Sequence, residues 1–289
     1  MKGTYSTAEL ANLLKVNEST IKRWSDTGEL ACAKTRGGHR RFAVATVLEF
    51  IRKNNLSPSI SIDGLPNEDL QAHIVAGNIQ KLAPELKREM LRGDVKAILR
   101  ILRIAYVARP RLLELFSELL FPPLVEIGEE WHDKKLTVDQ EHLASNALKE
   151  ALAQFHAELP HKPSNNLTAI CSCPEGEWHD TAIRCVCYFL ATEGWNVLFL
   201  GQSSPVDSLV NAIKSQKPNL VALSIVAPQH ERALINAVND SIYPAAHRVK
   251  ARLALGGPGL ASRWADKVKA DYLCNTIDES AIFANPVNY

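Results

Sequence analysis

Apolar residues recur at a helical period over most of the first 158 positions, then give way to short apolar runs alternating with helical stretches. Ser6-Thr-Ala-Glu9 has capping-box spacing, and Leu10, Leu13 and Leu14 follow on one face, which predicts a first short helix. After Lys15-Val-Asn17, a second helix over Glu18–Ser25 turns Ile21 and Trp24 inward and Ser19, Thr20, Lys22 and Arg23 outward. Gly28 closes that unit, and Leu30–Phe42 reads as two short strands around Gly37-Gly38. Residues 54–66 (NNLSPSISIDGLP) carry no helical period and read as a linker.

Asp69–Glu158 predicts four helices: Asp69–Gly93 with a break near Pro84, Val95–Ala108, Pro110–Lys134 and Val138–Glu158. Leu112, Leu115, Leu119 and Leu120 form its core stripe, and Pro122-Pro123 should kink or break the third helix. After a second break at Leu159–Asn166, strands are expected at Leu167–Cys173, Asn196–Leu200, Leu220–Val226, Arg252–Leu255 and near Tyr272. Helices at Thr181–Glu193, Val206–Ser215, Glu231–Ile242 and Ala261–Lys269 separate them, the pattern of a doubly wound parallel sheet. The chain is thus multidomain: a winged helix-turn-helix at 1–53, a linker at 54–66, a four-helix bundle at 67–160 and a flavodoxin-like α/β domain at 161–289.

The composition, 46% apolar and 22% charged over 289 residues, excludes disorder as the dominant state. No apolar run approaches a membrane span, and the N-terminus lacks the apolar core of a signal peptide, so a cytoplasmic protein with reduced thiols is expected. The formal charge of +1 hides an asymmetry. Residues 1–53 hold ten Lys and Arg against five Asp and Glu, a balance of +5, so the other 236 residues carry −4.

That basic module fits a phosphate-bearing partner. Short polar and basic side chains on the second helix (Ser19, Thr20, Lys22, Arg23) can reach base edges, and Arg36, His39, Arg40 and Arg41 flank the turn between the strands. With S-T-A-E-L-A, the I-K-R-W helix and the R-G-G-H-R-R-F wing, residues 3–52 resemble the MerR family of winged-helix DNA-binding domains, which implies operator double-stranded DNA as a partner. One small module makes few phosphate contacts, so useful affinity calls for several copies on one operator.

In the bundle, Glu129–Ser145 (EEWHDKKLTVDQEHLAS) gathers a Trp, two His and a Glu at the end of one helix and the start of the next. On spacing alone it reads as a capped helix hairpin with Trp131 half buried and His132 and His142 solvated. The segment also resembles the helical cap of CarH-type adenosylcobalamin-dependent photoreceptor repressors. That likeness implies that Trp131, Glu141 and His142 enclose the adenosyl group, and that His132 takes the upper cobalt position after light.

In the α/β domain, ligands are expected where the loops at Glu175, Gly201, Ser224 and Gly256 leave the carboxyl ends of the strands. E-G-E-W-H-D-T-A (Glu175–Ala182), Ser224-Ile-Val226 and Gly256-Gly257 resemble the D-x-H-x-x-G, S-x-L and G-G signature of cobalamin-binding domains. The resemblance implies His179 as lower axial cobalt ligand, Ser224 against the displaced nucleotide tail, and Gly256 and Gly257 as close-approach points for that tail. Glu177, Ala182 and Val226 depart from the signature. Glu177 can still hydrogen-bond the other imidazole nitrogen, whereas Ala182 adds a methyl where the tail enters. Cys171/Cys173 and Cys185/Cys187 invite a zinc reading, but i and i+2 on a helix point apart, so they read as small buried residues.

Together the modules resemble CarH-type repressors nearly end to end. The implied protein is no enzyme: it holds adenosylcobalamin in the dark, assembles as a tetramer on its operator, and lets go when light breaks the cobalt–carbon bond, freeing genes of carotenoid synthesis or light protection. A cobalamin-independent regulator of the same architecture, a corrinoid methyltransferase subunit, and a different tetrapyrrole in the same cleft are the alternatives.

Overall fold

The computed structural model describes residues 4–54, 56, 78–108, 111–227, 230–260 and 266–284. Most of the expected linker, the stretch from Asp69 to residue 77, and Pro110 lie outside these residues. The chain divides into two units, Met1–Pro160 and His161–Tyr289.

In the first unit, α1 (Thr7–Leu14) starts at the predicted capping box, with Glu9 N donating to Ser6 Oγ at 3.2 Å and Ser6 N to the Glu9 carboxylate at 2.8 Å. Asn17 caps α2 (Glu18–Asp26) by accepting from Ser19 N at 3.0 Å. Ile21 points into the core, and Trp24 packs on Phe50 with ring centroids 4.9 Å apart. Three strands, β1 (Thr4–Tyr5), β2 (Ala33–Lys34) and β3 (Arg40–Ala43), form an antiparallel sheet in the order β1-β3-β2, followed by α3 (Val44–Lys53). The sequence pattern yields only the two wing strands. A two-residue β1 is too short to show alternation, and α3 is rich in β-branched and aromatic residues that favour neither period.

A 3₁₀ turn (Ile79–Leu82) leads into α4 (Ala83–Arg92), with Pro84 in its first turn, where no amide is needed. Gly93 ends α4 at φ 68°, and α5 (Val95–Ala108) follows. Pro122-Pro123 do not break the helix: α6 runs as Leu112–Leu115, a π-helical turn Phe116–Leu120, and Phe121–His132. Phe121 N donates five residues back to Phe116 O, and this wider turn relieves the ring-against-carbonyl clash ahead of the prolines. α7 (Val138–His156) completes the bundle, whose core includes Leu86, Ile98, Leu115, Phe116, Leu148 and Phe155. Within this unit α3 packs on α5, and Val107 joins the helix-turn-helix core.

The second unit is a parallel sheet of β4 (Thr168–Pro174), β5 (Asn196–Ser204), β6 (Leu220–Ser224), β7 (Arg252–Gly256) and β8 (Tyr272–Cys274), in the order β5-β4-β6-β7-β8. In chain order that is 2-1-3-4-5, the flavodoxin-like arrangement. α8 (Thr181–Thr192), α9 (Val206–Gln216) and α10 (Glu231–Ala237, prolonged through a π turn at Val238–Ile242 to Tyr243–Arg248) alternate with the strands. The helix expected at Ala261–Lys269 is not formed at Asp266–Lys269, which is a turn; residues 261–265 lie outside the described set. Asn239 straps that segment, donating to Lys267 O and accepting from Lys269 N, each at 2.7 Å, so an amide side chain replaces helical pairing. Among the described residues no helix is long and apolar enough to cross a membrane.

Candidate functional site

β4 ends in a loop over residues 175–180 whose backbone is fixed from the neighbouring strand. β5 shifts register at Gly201 and again at Ser204, and the bulged end meets the loop. Ser203 N donates to Glu177 O at 2.9 Å, Gly176 N to Ser203 Oγ at 3.0 Å, and Gln202 Nε2 to Trp178 O at 2.7 Å. Ser172 Oγ and Ser204 Oγ lie 2.7 Å apart beneath it.

Glu177, 1% exposed, is the anchor. One carboxylate oxygen accepts from His179 N at 2.9 Å and stands 2.6 Å from His179 Nδ1; the other accepts from Val226 N and Ala227 N, both at 2.7 Å. Burial pushes this carboxyl's pKa up, but the bonds from the imidazole and the three amides outweigh it and hold the group below the usual carboxylate value. An ionised carboxylate at Nδ1 keeps the ring proton there and leaves the lone pair on Nε2. With its side chain 57% exposed, His179 is arranged as a Lewis base toward solvent.

Ser224 ends β6 with Oγ buried and without a hydrogen-bond partner among the described residues. A buried hydroxyl in that state costs free energy until something pairs with it. Gly257 stands at φ 115°, and a Cβ there would lie 2.3 Å from Ile225 O. A Cβ on Gly256 would meet Cys274 O at 3.4 Å, an ordinary contact, so the protein's own backbone requires glycine at 257 but not at 256. Val226 contributes its amide to Glu177, a bond indifferent to its side chain, and half-buried Ala182 lies in the first turn of α8. Loops after β4, β6 and β7 thus carry Glu177, His179, Ser224, Gly256 and Gly257 at one end of the sheet.

Cys171, Cys173, Cys185 and Cys187 are buried. Burial pushes the Cys173 thiol up to about 12 and those of Cys185 and Cys187 well above the ordinary value; Cys187 is raised first by its hydrogen bond with Cys171. All four are buried core side chains, as expected of small apolar residues.

In the first unit, Trp131 at the end of α6 is 45% exposed, close to the half-buried expectation from residue chemistry, and His132 and His142 are exposed. Glu141 accepts from Ser145 Oγ at 2.5 Å and lies 3.7 Å from His142 Nε2. Val138 and Leu143 beside them are also exposed, so the hairpin end presents apolar surface.

On the helix-turn-helix, Ser19, Lys22, Arg23, Arg36 and His39 are exposed, and Thr20 is half-buried. Ser19 Oγ lies 3.0 Å from Asn17 Oδ1, tying it to the cap. Arg40 and Arg41 are adjacent on β3; Arg40 is paired with Asp26 at 2.5 Å and only 20% exposed. Sequence reasoning missed Asp26, Trp178, Gln202 and Ser203, because partner choice across elements leaves no local pattern.

The Helix-turn-helix domain family matches residues 4–55, and two families described as B12 binding domain match 82–155 and 167–282. The HTH-type transcriptional repressor CarH of Myxococcus xanthus is 28% identical over 240 residues, 78% of this chain and 79% of that protein. The HTH-type transcriptional repressor CarA of the same organism is 26% identical over 247 residues, 81% of this chain and 80% of that one. Among solved structures, the Methanosarcina barkeri monomethylamine corrinoid protein superposes with TM-score 0.60 at 19% identity, covering 72% of this chain and 99% of its own, a likeness of fold. The chain belongs to the helix-turn-helix proteins that carry B12-binding domains. Within that class its domain order and these two relatives make it similar to repressors of the CarH type.

Proposed function

We propose that the protein is a B12-binding transcriptional repressor whose grip on operator DNA is set by adenosylcobalamin and released by light. The observation that carries the cofactor is the buried Glu177 carboxylate at His179 Nδ1, together with the unpartnered Ser224 hydroxyl, inside a segment matched by a B12-binding family. His179 Nε2 would be the lower cobalt ligand, Glu177 would set its basicity, and Ser224 would pair with the nucleotide tail at the loops of Gly256 and Gly257. Trp131, Glu141 and His142 would hold the adenosyl group, Trp131 through its exposed ring and Glu141 as acceptor for ribose hydroxyls.

Adenosylcobalamin, when bound, supplies a cobalt–carbon bond that green light breaks. In the dark, contacts to Trp131, Glu141 and His142 favour the assembled form, a tetramer, whose several helix-turn-helix domains share one operator. After illumination those contacts would be lost, His132 would be able to hold the cobalt through its imidazole, and the grip would loosen. Ser19, Thr20, Lys22 and Arg23 face base edges, while Arg36, His39, Arg40 and Arg41 contact the backbone. Control of carotenoid or light-protection genes, a cytoplasmic location and the absence of turnover complete the reading.

The test is the absorption spectrum and gel-filtration volume of the protein with adenosylcobalamin, before and after green light. Retained cofactor, a light-dependent spectral change and a fall in size support the reading. A protein that retains no cobalamin overturns it in favour of a cobalamin-independent regulator. His179→Ala should weaken uptake; unchanged affinity removes it as ligand.

A further inference from the structure

Trp178 stands between Glu177 and His179 and is 59% exposed. Chain slack does not explain this exposure. On one side Glu177 is held by hydrogen bonds to its carbonyl and both carboxylate oxygens; on the other, His179 is held at its amide and ring. The Trp178 carbonyl itself accepts from Gln202 Nε2 at 2.7 Å, a bond that the bulged end of β5 makes possible. A fixed backbone that keeps a large ring in water forgoes the burial that an indole ordinarily gains on folding.

We infer that Trp178 is a corrin contact: its indole lies against the lower face of the macrocycle beside the cobalt ligand, and Gln202 is its positioning residue. This rests on the cobalamin reading above. Consecutive Cα atoms are only about 3.8 Å apart, and a corrin centred on the imidazole Nε2 is several times wider, so its rim extends over the neighbouring side chain. A flat conjugated ligand suits an indole face, and aromatic contacts of this kind change affinity by roughly three- to tenfold.

The test uses the full chain with hydroxocobalamin. Dissociation is followed by chase, and exposure of Trp178 by hydroxyl-radical footprinting with and without cofactor. Bound cofactor should protect Trp178. Trp178→Ala and Trp178→Leu should release cobalamin roughly three- to tenfold faster, with the imidazole-ligated spectrum unchanged at saturation, and Trp178→Phe should restore most of the difference. Gln202→Ala should show a smaller acceleration with the same spectrum. If wild type binds and Trp178→Leu releases at the wild-type rate, the inference is overturned while the cobalamin reading stands. Protection that needs a second copy of the chain and leaves release unchanged overturns it in favour of a subunit contact. If wild type takes up no cobalamin, the underlying reading fails first, and the inference falls with it.

Discussion

Glu177→Gln separates the anchoring role of this carboxylate from mere volume, since the amide is nearly isosteric. The carboxylate receives four contacts, from His179 N, His179 Nδ1, Val226 N and Ala227 N. A glutamine offers one accepting oxygen. If that oxygen keeps His179, the amide NH₂ opposes the donors of Val226 and Ala227 and strands both. If it keeps Val226 and Ala227, the NH₂ donates to Nδ1, drives the ring proton to Nε2 and strands His179 N. The second arrangement preserves more bonds. Its cost combines three bonds reduced from charge-assisted to neutral, at Val226 N, Ala227 N and His179 Nδ1, with one stranded amide. At roughly 1.5–3 kcal/mol for a bond to a charged group, about 1 for a neutral one, and about 1–3 for a stranded donor, the loss is at least about 3 kcal/mol. For a domain of this size that lowers the midpoint of its thermal transition by on the order of 10 °C.

Calorimetry of the full chain gives the shift, and amide hydrogen exchange tells the arrangements apart. Protection retained at Val226 and Ala227 but lost at His179 marks the second. That arrangement also predicts weaker cobalamin ligation, because Nε2 then carries the proton. The pH dependence follows from the lowered pKa of Glu177. Its stabilisation is complete above the ordinary carboxylate value of 4.5 and is lost as pH falls through the lower folded value, a loss that Glu177→Gln lacks. An unchanged midpoint with an unchanged acid limb would refute the reasoning, because a carboxylate that does not anchor the loop has no stabilisation to lose.

Gly257→Ala should destabilise by at least about 1–3 kcal/mol from backbone conformation alone, with the clash at Ile225 O added; urea unfolding at wild-type stability would remove the close approach as a constraint. Ser224→Ala should leave the cofactor-free protein as stable or slightly more so, while weakening cobalamin but not cobinamide, which lacks the nucleotide tail; equal losses for both would sink the tail assignment. Asp26→Asn should release Arg40, raise affinity for unrelated duplexes and steepen the salt dependence by about one phosphate contact, whereas an unchanged slope excludes Arg40 from the backbone. Of the six cysteines only half-buried Cys32 should react quickly with a thiol reagent in the folded protein; fast reaction at Cys185 or Cys187 would contradict their burial.

Regular elements were legible where a local rule sufficed. The capping box at Ser6, the α5 boundaries at Val95 and Ala108, and the alternation of β4–β8 with helices need only neighbours in sequence. Failures fall where a distant partner decides. Asn239 holds 266–269 out of a helix, whereas the accommodation of Pro122-Pro123 is local, a five-residue π turn at Phe116–Leu120 that the helical period does not show. For the candidate site, the spacing of Glu177 and His179 marks the loop, yet nothing in that spacing indicates the amides of Val226 and Ala227, which come from the loop after β6. Likewise Gly257 reads as a ligand contact in sequence, but its Cβ direction is closed by Ile225 O.

Under the proposed function, geometry also decides where a light switch can reside. A ligand shifts an equilibrium only through contacts that differ between its two states. Ser224 would address the nucleotide tail, which keeps the same chemistry when the adenosyl group leaves, whereas His179, backed by Glu177, would hold the cobalt in both states and meet the adenosyl group in neither. The contacts made only with the adenosyl group would be those of Trp131, Glu141 and His142, on the unit that also carries the helix-turn-helix domain. In that unit α3 packs directly on α5, and Arg103 of α5 forms a two-pronged pair with Glu158 just beyond α7, the helix that carries Glu141 and His142. Tyr5 of β1, whose phenol burial pushes upward in pKa, lies in the field of that same pair. A shift of α7 on loss of the adenosyl contacts would therefore act on β1 and α3 through packed side chains. Arg103→Ala tests this route: it should leave cobalamin affinity intact while reducing the difference in operator affinity between dark and light, and an undiminished difference would assign the coupling to assembly alone.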